Sequence, residues 1–156
     1  GLVGSEMCIR DSMNFIMSAD GQKIVSEDYI AIDDAAAAFQ TDGSSGKIVV
    51  GGSSSVSPLM EKLAEAYQKI NAAAEIEIQT QDSTSGMTGT IDGTYDIGMA
   101  SRELKDEEAA ELTGVAIALD GIAVIVNNEN PVTELSTEQV MQIYTGEVTD
   151  WAGLTK

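Results

Sequence analysis

The sequence contains no histidine, a single cysteine and only two arginines among its 156 residues. Without histidine, and with one thiol, the chain cannot assemble a Cys/His zinc site, a Ser-His-Asp triad or a Cys-His pair. Metal sites built from carboxylates alone stay open but have no support, and a lone cysteine excludes an intrachain disulfide. We therefore expect no metal, no cofactor, no catalytic residues and no enzyme activity.

Positive charge is also scarce, since 8 lysines and arginines face 26 aspartates and glutamates, for a formal net charge of −18. A field of this sign repels polyanions, which argues against nucleic acid or an anionic membrane as a partner. Any anion must be captured by local donors. No apolar run reaches the roughly 18 residues that span a bilayer, and the N-terminus lacks the basic-then-apolar pattern of a signal peptide.

Composition divides the chain into successive segments. Residues 1–12 contain the only cysteine, show no period and are predicted to be non-native or disordered, with Cys8 neither an anchor nor a site. Two short helical patterns follow in residues 13–32, broken at Asp20-Gly21, and residues 33–46 form an Ala/Asp/Ser/Gly-rich linker. Strand and helix patterns then alternate over residues 47–118, and residues 119–156 are predicted to begin a further lobe.

The alternating region favours a parallel α/β sheet. Strands are predicted over residues 47–50, 75–80 and 95–100, and helices over 57–70, 86–92, 106–112 and 136–144. Ser57 is predicted to cap its helix with Pro58 in the first position, and Ser136 to cap the last helix. The apolar run 115–127 predicts two strands or one bent strand. If a second lobe does not cover that run, we expect poor solubility.

Turns rich in glycine and hydroxyl side chains follow the predicted strands, at the edge where open α/β sheets bind ligands. They span residues 52–55, 83–86 and 100–102. The first two lead into helices, whose free N–H groups and partial positive charge suit an oxyanion. A single turn of this kind is usually only a turn and cap, but the three together predict an anion site. The first turn lacks the lysine and spacing of nucleotide-binding motifs.

Arg102 is the one arginine beyond residue 12, and it directly follows the third predicted strand. Its guanidinium could hold a phosphate or sulfate through two hydrogen bonds, or it could simply pair on the surface with Glu103 or Asp106. The acidic run over residues 103–108 is interpreted as solvated helix surface.

Residues 46–154 resemble the phosphate-binding subunit of bacterial phosphate ABC importers. The resemblance rests on GKIVVGGSSSVSPLMEKLAEAYQKIN, DSTSGMTGTIDGTYDIGMASREL and ALDGIAVIVNNENPVTELSTEQVMQIYTGEVTDW, in that order. Residues 13–32 resemble the end of such a domain, which implies either a tandem arrangement or one domain cut at both ends. The implied fold is a type II periplasmic-binding-protein-like (Venus flytrap) α/β lobe with a parallel sheet, truncated in this chain.

The resemblance also implies the ligand contacts and the partners. The contacts fall on the side chains of Ser54 and Ser55, the backbone N–H of Val56, Ser83 with Thr84 beside it, and Ser101 with Arg102. The implied ligand is inorganic phosphate, delivered by a monomeric, extracytoplasmic protein to the membrane permease of an ABC importer. The family's second-lobe contacts would lie beyond Lys156.

Other functions remain open on the sequence. Some family members carry aspartate where Ser101 stands, so another oxyanion, sulfate or molybdate, is an alternative ligand. A phosphate-sensing surface module is a second alternative. A phosphatase with a serine nucleophile is disfavoured, because without histidine only carboxylates or lysine could serve as its base.

Overall fold

The computed structural model describes residues 4–33 and 35–154. The chain divides into two compact units, Gly1–Gly121 and Ile122–Lys156. Within the described residues, none of the helices is both long enough and apolar enough to cross a membrane.

The first unit carries the sheet and most of the helices. In chain order its elements are α1 (Gly4–Met17), α2 (Ala19–Asp28), β1 (Ile30–Ala31), β2 (Gly46–Ser53), α3 (Ser57–Ile70), β3 (Ala74–Gln81), α4 (Ser83–Ile91), β4 (Ile97–Met99), α5 (Asp106–Ala109) and β5 (Ala118–Leu119). The second unit contains α6 (Thr137–Thr145) and a 3₁₀ turn at Trp151–Gly153.

The main sheet has three strands in the order β3-β2-β4, and both neighbours of β2 run parallel to it. Ser53 at the end of β2 lies opposite Gln81 at the end of β3, and Gly52 lies opposite Met99 at the end of β4. All three strands therefore finish at one edge. The parallel α/β sheet predicted from the sequence is confirmed. A separate antiparallel pair joins β1 to β5.

Helix α3 supplies the centre of the hydrophobic core. Its apolar residues recur every three or four positions, so they share one face that packs on the sheet. Leu63 and Tyr67 on this face are each 1% exposed, and Ile48 of β2 is fully buried. Burying a leucine side chain of this size stabilises the fold by roughly 2 kcal/mol.

Helix α1 packs on the same core, so the described part of residues 1–12 is helical and not disordered, while a non-native origin of these residues stays a prediction. Residues 4–12 are helical, Cys8 is fully buried, and residues 1–3 lie outside the described part. The carboxylate of Asp11 accepts hydrogen bonds from the Tyr67 hydroxyl (2.8 Å) and the Thr41 hydroxyl (2.7 Å). These bonds tie α1 both to α3 and to the segment predicted as a linker.

The predicted domain boundaries stay predictions beside the observed division into two units. The boundaries after residues 12, 32 and 46 fall inside the first unit, while the one after residue 118 lies close to the observed division after Gly121. The assignment of residues 13–32 to a preceding domain, and of residues 119–156 to a second lobe, stays a prediction.

Local structure also departs from the predicted elements at several points. Helix α1 ends before Ser18, whose hydroxyl caps α2 by accepting from Gly21 N at 3.2 Å, so the predicted break at Asp20-Gly21 lies inside α2. Helix α5 stops at Ala109. Of the apolar run 115–127, only Ala118–Leu119 forms a strand. The predicted cap of α6 at Ser136 is confirmed, because its hydroxyl accepts from Gln139 N.

Candidate anion-binding site

The common end of the three strands brings the second and third predicted turns into contact. The hydroxyl of Ser83 accepts a hydrogen bond from Ser101 N at 3.1 Å, and the two serine hydroxyl oxygens lie 3.3 Å apart. One residue further along each turn, Nη2 of Arg102 donates to the Thr84 hydroxyl at 3.3 Å. Four of the predicted ligand residues therefore form one cluster at the carboxyl edge of the sheet.

A close approach of two glycines sets the first turn beside α4. A Cβ atom at Gly86 would lie 2.7 Å from the Cα of Gly52 and 2.9 Å from the carbonyl oxygen of Met99. Gly52 itself has a φ of +135°, a conformation that other residues rarely adopt. Glycine at both positions lets the first turn of α4 pack directly on the ends of β2 and β4.

The first turn presents exposed hydroxyls and an uncapped helix. Ser54 and Ser55 are both exposed. The N-cap position of α3 is Val56 rather than Ser57, and no side chain caps this end of the helix. Because the first N–H groups of a helix have no partner within it, the uncapped end of α3 offers donors to an anion.

Two details of the first turn differ from the sequence prediction. Ser57 is the first residue of α3, and its hydroxyl donates to Ser53 O at 3.2 Å instead of capping the helix. The N–H of Val56, predicted to contact the ligand, donates to Ser53 O at 3.1 Å. In this conformation the turn holds that N–H internally, which leaves the hydroxyls of Ser54 and Ser55 as its outward donors.

Asp82, which is not among the predicted site residues, caps α4. Its carboxylate accepts from Ser85 N and from the Ser85 hydroxyl, each at 2.8 Å. These two hydrogen bonds hold the pKa of Asp82 below its usual value, the backbone bond contributing most. The signal in the sequence was an aspartate directly before Ser83, since aspartate is a preferred N-cap residue. Both of its carboxylate oxygens are engaged within α4.

Arg102 is paired, but with neither of the predicted partners. Nη1 donates to Oε2 of Glu108 and Nη2 donates to Oε1, both at 2.8 Å. Glu103 contributes only its carbonyl oxygen, which accepts from Nη1 at 2.9 Å. The Glu108 side chain is 8% exposed and that of Arg102 is 29% exposed. The interpretation of residues 103–108 as solvated surface is therefore wrong at Glu108, whose burial is repaid by this charge-assisted pair.

The pair shifts the pKa of both partners. The hydrogen bonds from Arg102, followed by the one from Lys105 N, lower the pKa of Glu108 to about 2. The same contact raises the pKa of Arg102 above its ordinary value. Both groups are therefore charged at neutral pH, and the pair carries no net charge.

The cluster consists of groups that can hold an anion. Hydroxyl groups, a helix N-terminus and one oriented guanidinium surround a single edge of the sheet, where fixed dipoles stabilise negative charge. In the part of the chain that the structure describes, no three histidine, cysteine or carboxylate side chains are grouped so that they could hold a metal ion.

The chain is similar in sequence to known proteins. A family model described as a PBP superfamily domain matches residues 37–155. The chain is 52% identical over 149 residues to "Phosphate-binding protein PstS 2" of Streptococcus agalactiae serotype V. This alignment covers 94% of this chain and 50% of the relative. It is 44% identical over 143 residues to the protein of the same name from Streptococcus pneumoniae serotype 4, covering 91% of this chain and 49% of that relative.

Solved structures give the same result. A phosphate-binding protein of a phosphate ABC transporter from Streptococcus pneumoniae TIGR4 superposes with a TM-score of 0.86 at 43% identity, over 94% of this chain and 57% of that one. A substrate-binding protein with bound phosphate from Clostridium perfringens gives a TM-score of 0.56 at 42% identity, over 70% of this chain and 45% of that one. The chain thus spans about half the length of the relatives it matches.

Proposed function

The chain belongs to the PBP superfamily, whose fold its parallel sheet shares, and from that premise we propose that it forms one side of a binding site for inorganic phosphate. The observation that carries the proposal is the cluster of Ser83, Thr84, Ser101 and Arg102 at the carboxyl edge of the sheet. Relatives that match most of this chain are named as phosphate-binding proteins, and a structural neighbour contains phosphate.

The chemistry of the cluster suits a small tetrahedral anion in an acidic protein. The net charge of −18 repels phosphate at a distance, so binding must come from donors at contact range. Hydroxyls and helix dipoles act at that range, and each hydrogen bond to a charged ligand contributes about 1.5–3 kcal/mol. The exposed hydroxyls of Ser54 and Ser55 extend the same set of donors from the first turn.

The proposed role is reversible capture of phosphate and delivery to the membrane permease of an ABC importer, without chemistry on the ligand. The names of the relatives, which describe binding and transport rather than catalysis, support this role. It implies an extracytoplasmic location and, by the resemblance of the chain to this family, a monomer.

Titration of the full-length protein with phosphate, with and without Arg102→Ala, tests the proposal. Arg102→Ala should weaken binding about 10- to 100-fold, as expected for the loss of one or more charge-assisted hydrogen bonds. Lys105→Ala is the matched control, because it removes the same charge from an exposed neighbour and should leave the affinity unchanged. A thermal melt of each variant checks folding. Equal phosphate affinity in a folded Arg102→Ala variant would rule out the site.

A second class of ligand, other tetrahedral oxyanions, is suggested by the hydrogen bonds that the nearby carboxylates already make. Discrimination in favour of hydrogen phosphate requires an acceptor for its proton, which sulfate does not carry. By the resemblance described above, Ser101 stands where some family members have aspartate, while Asp82 is engaged by Ser85 and Glu108 by Arg102. Sulfate and molybdate are therefore competitors of specific interest. Displacement of bound phosphate by equimolar sulfate would favour a general oxyanion site.

A further inference from the structure

We propose that Glu108 is a positioning residue for the anion site, because its buried carboxylate fixes Arg102 so that the edge formed by Nε and Nη2 faces the ligand. The proposal rests on the phosphate-binding function inferred above and adds to it a residue that does not itself touch the ligand.

The carboxylate of Glu108 is held rigidly from two directions. It receives the two 2.8 Å hydrogen bonds from the guanidinium and a third, at 2.9 Å, from Lys105 N to Oε2. The backbone bond is made across the first turn of α5, so it fixes the glutamate independently of Arg102. With only 8% of the side chain exposed, water competes little for these bonds.

The contacts of Arg102 leave one edge of its guanidinium available. Nη1 is fully used, because it donates both to Glu108 and to the Glu103 carbonyl. Nη2 donates to Glu108 and, at a longer 3.3 Å, to the Thr84 hydroxyl. Within residues 4–33 and 35–154, Nε donates no hydrogen bond. The Nε–Nη2 edge therefore points toward Thr84, on the first turn of α4, where the hydroxyl cluster lies.

Two opposing effects decide what loss of Glu108 would do. Removing its negative charge strengthens the attraction of Arg102 for an anion, but that gain is reduced by solvent because the arginine is partly exposed. Freeing the guanidinium means that binding must order a long, flexible side chain. A glutamine at this position also replaces one accepting oxygen with an NH₂ group, which cannot accept a hydrogen bond from the guanidinium. We expect the loss of orientation to dominate.

The test is a double-mutant cycle in the full-length protein, with inorganic phosphate as the titrated ligand. Glu108→Gln should weaken binding about 3- to 10-fold, the range expected for one immobilised side chain. Glu107→Gln is the matched control, since it makes the same charge change at an exposed position of α5, and it should not alter the affinity. In an Arg102→Ala background, Glu108→Gln should have no further effect.

A spectroscopic measurement separates positioning from a general structural role. In the parent protein, phosphate should shift the ¹⁵N resonance of Arg102 Nε, which is assigned by its loss in Arg102→Ala. In Glu108→Gln that resonance should be broadened before phosphate is added. If Glu108→Gln does not fold, Glu108→Asp, which keeps the charge but shortens the reach, is expected to show the same changes.

Three different results would overturn the proposal, and each has a different meaning. Unchanged or tighter phosphate binding in Glu108→Gln shows that its carboxylate does not position Arg102. Equal weakening with and without Arg102 shows that Glu108 acts through the fold instead. If the parent protein does not bind phosphate at all, the proposed function fails and the positioning role fails with it.

Discussion

Replacing Gly86 by alanine tests whether the close packing of α4 on the sheet sets the geometry of the anion site. The added Cβ would lie 2.7 Å from Gly52 Cα, 2.9 Å from Met99 O and 3.0 Å from Gly51 O, whereas ordinary contacts begin near 3.4 Å. All three neighbours are backbone atoms, so no side-chain rotation relieves the clash. Helix α4 must therefore move by roughly 0.7 Å, the difference between the closest approach and an ordinary contact.

The energetic outcome depends on two terms of opposite sign. Alanine is favoured over glycine inside a helix by about 1 kcal/mol. Overpacking a close-packed site costs about 1–3 kcal/mol, and a clash with backbone lies toward the upper end of that range. We expect Gly86→Ala to lower the free energy of unfolding by about 1–2 kcal/mol. Because Ser83 and Thr84 lie on the same helical turn, phosphate affinity should fall as well.

Urea unfolding followed by far-UV circular dichroism measures the first effect, and phosphate titration of the full-length protein measures the second. Thr88→Ala, at an exposed position of α4, is the control and should change neither quantity appreciably. A Gly86→Ala variant that gains about 1 kcal/mol of stability from helix propensity, with unchanged phosphate affinity, would show that this close packing does not set the geometry of the site.

Two further predictions concern charge and exposed apolar surface. Because the folded-state pKa of Glu108 is about 2, below its ordinary 4.5, its pair with Arg102 stabilises the fold fully above about pH 4.5 and loses that effect as the pH falls toward 2. The difference in urea midpoint between the parent protein and Glu108→Gln should shrink across that window, and a constant difference would contradict the assignment. Ile122 and Ile125 are 98% and 90% exposed, so Ile125→Ser should reduce aggregation and dye binding while changing the free energy of unfolding by no more than about 0.5 kcal/mol. A larger loss would show that Ile125 is covered in the protein.

The parts of the fold that follow from local patterns could be predicted from the sequence. The spacing of Met60, Leu63, Tyr67 and Ile70 predicts one apolar face of α3, because helix periodicity needs no knowledge of distant residues. The first three of these residues are buried, whereas Ile70, the last residue of the helix, is 48% exposed. Three hydroxyl-rich turns after consecutive strands implied a shared site, because parallel strands end at the same edge of a sheet. The structure brings Ser83, Thr84, Ser101 and Arg102 together there.

The features that could not be predicted depend on contacts between residues far apart in the chain. Helix α1 is held by Asp11 bonding to Tyr67, 56 positions later, and nothing near Asp11 signals that partner. The acidic run before Ala109 is typical of a solvated surface, and Glu108 is buried only because Arg102 reaches it. The contact between Gly52 and Gly86 likewise has no signal in the sequence around either residue.

The segment order in the relatives bears on the origin of residues 13–32. Because the alignment with the Streptococcus agalactiae relative covers 94% of this chain, it must include most of residues 13–46. The relative therefore carries the same sequence of segments within one protein, on both sides of the predicted linker. The alternatives of a tandem arrangement and a single cut domain stay predictions, and the neighbouring coding sequence would distinguish them.

The neutrality of the Arg102–Glu108 pair has a consequence for how a ligand arrives. In a receptor with a cationic pocket, long-range attraction accelerates encounter, and salt slows it. Here the Arg102–Glu108 pair contributes no net charge, the nearby carboxylate of Asp82 is negative, and the chain as a whole carries −18, so a dianion approaches against repulsion until it is within contact range of the donors. Because the Debye length is only about 8 Å at physiological salt, dissolved ions relieve that repulsion. Association should therefore become faster as ionic strength rises, which couples the capture rate to the salinity of the surroundings.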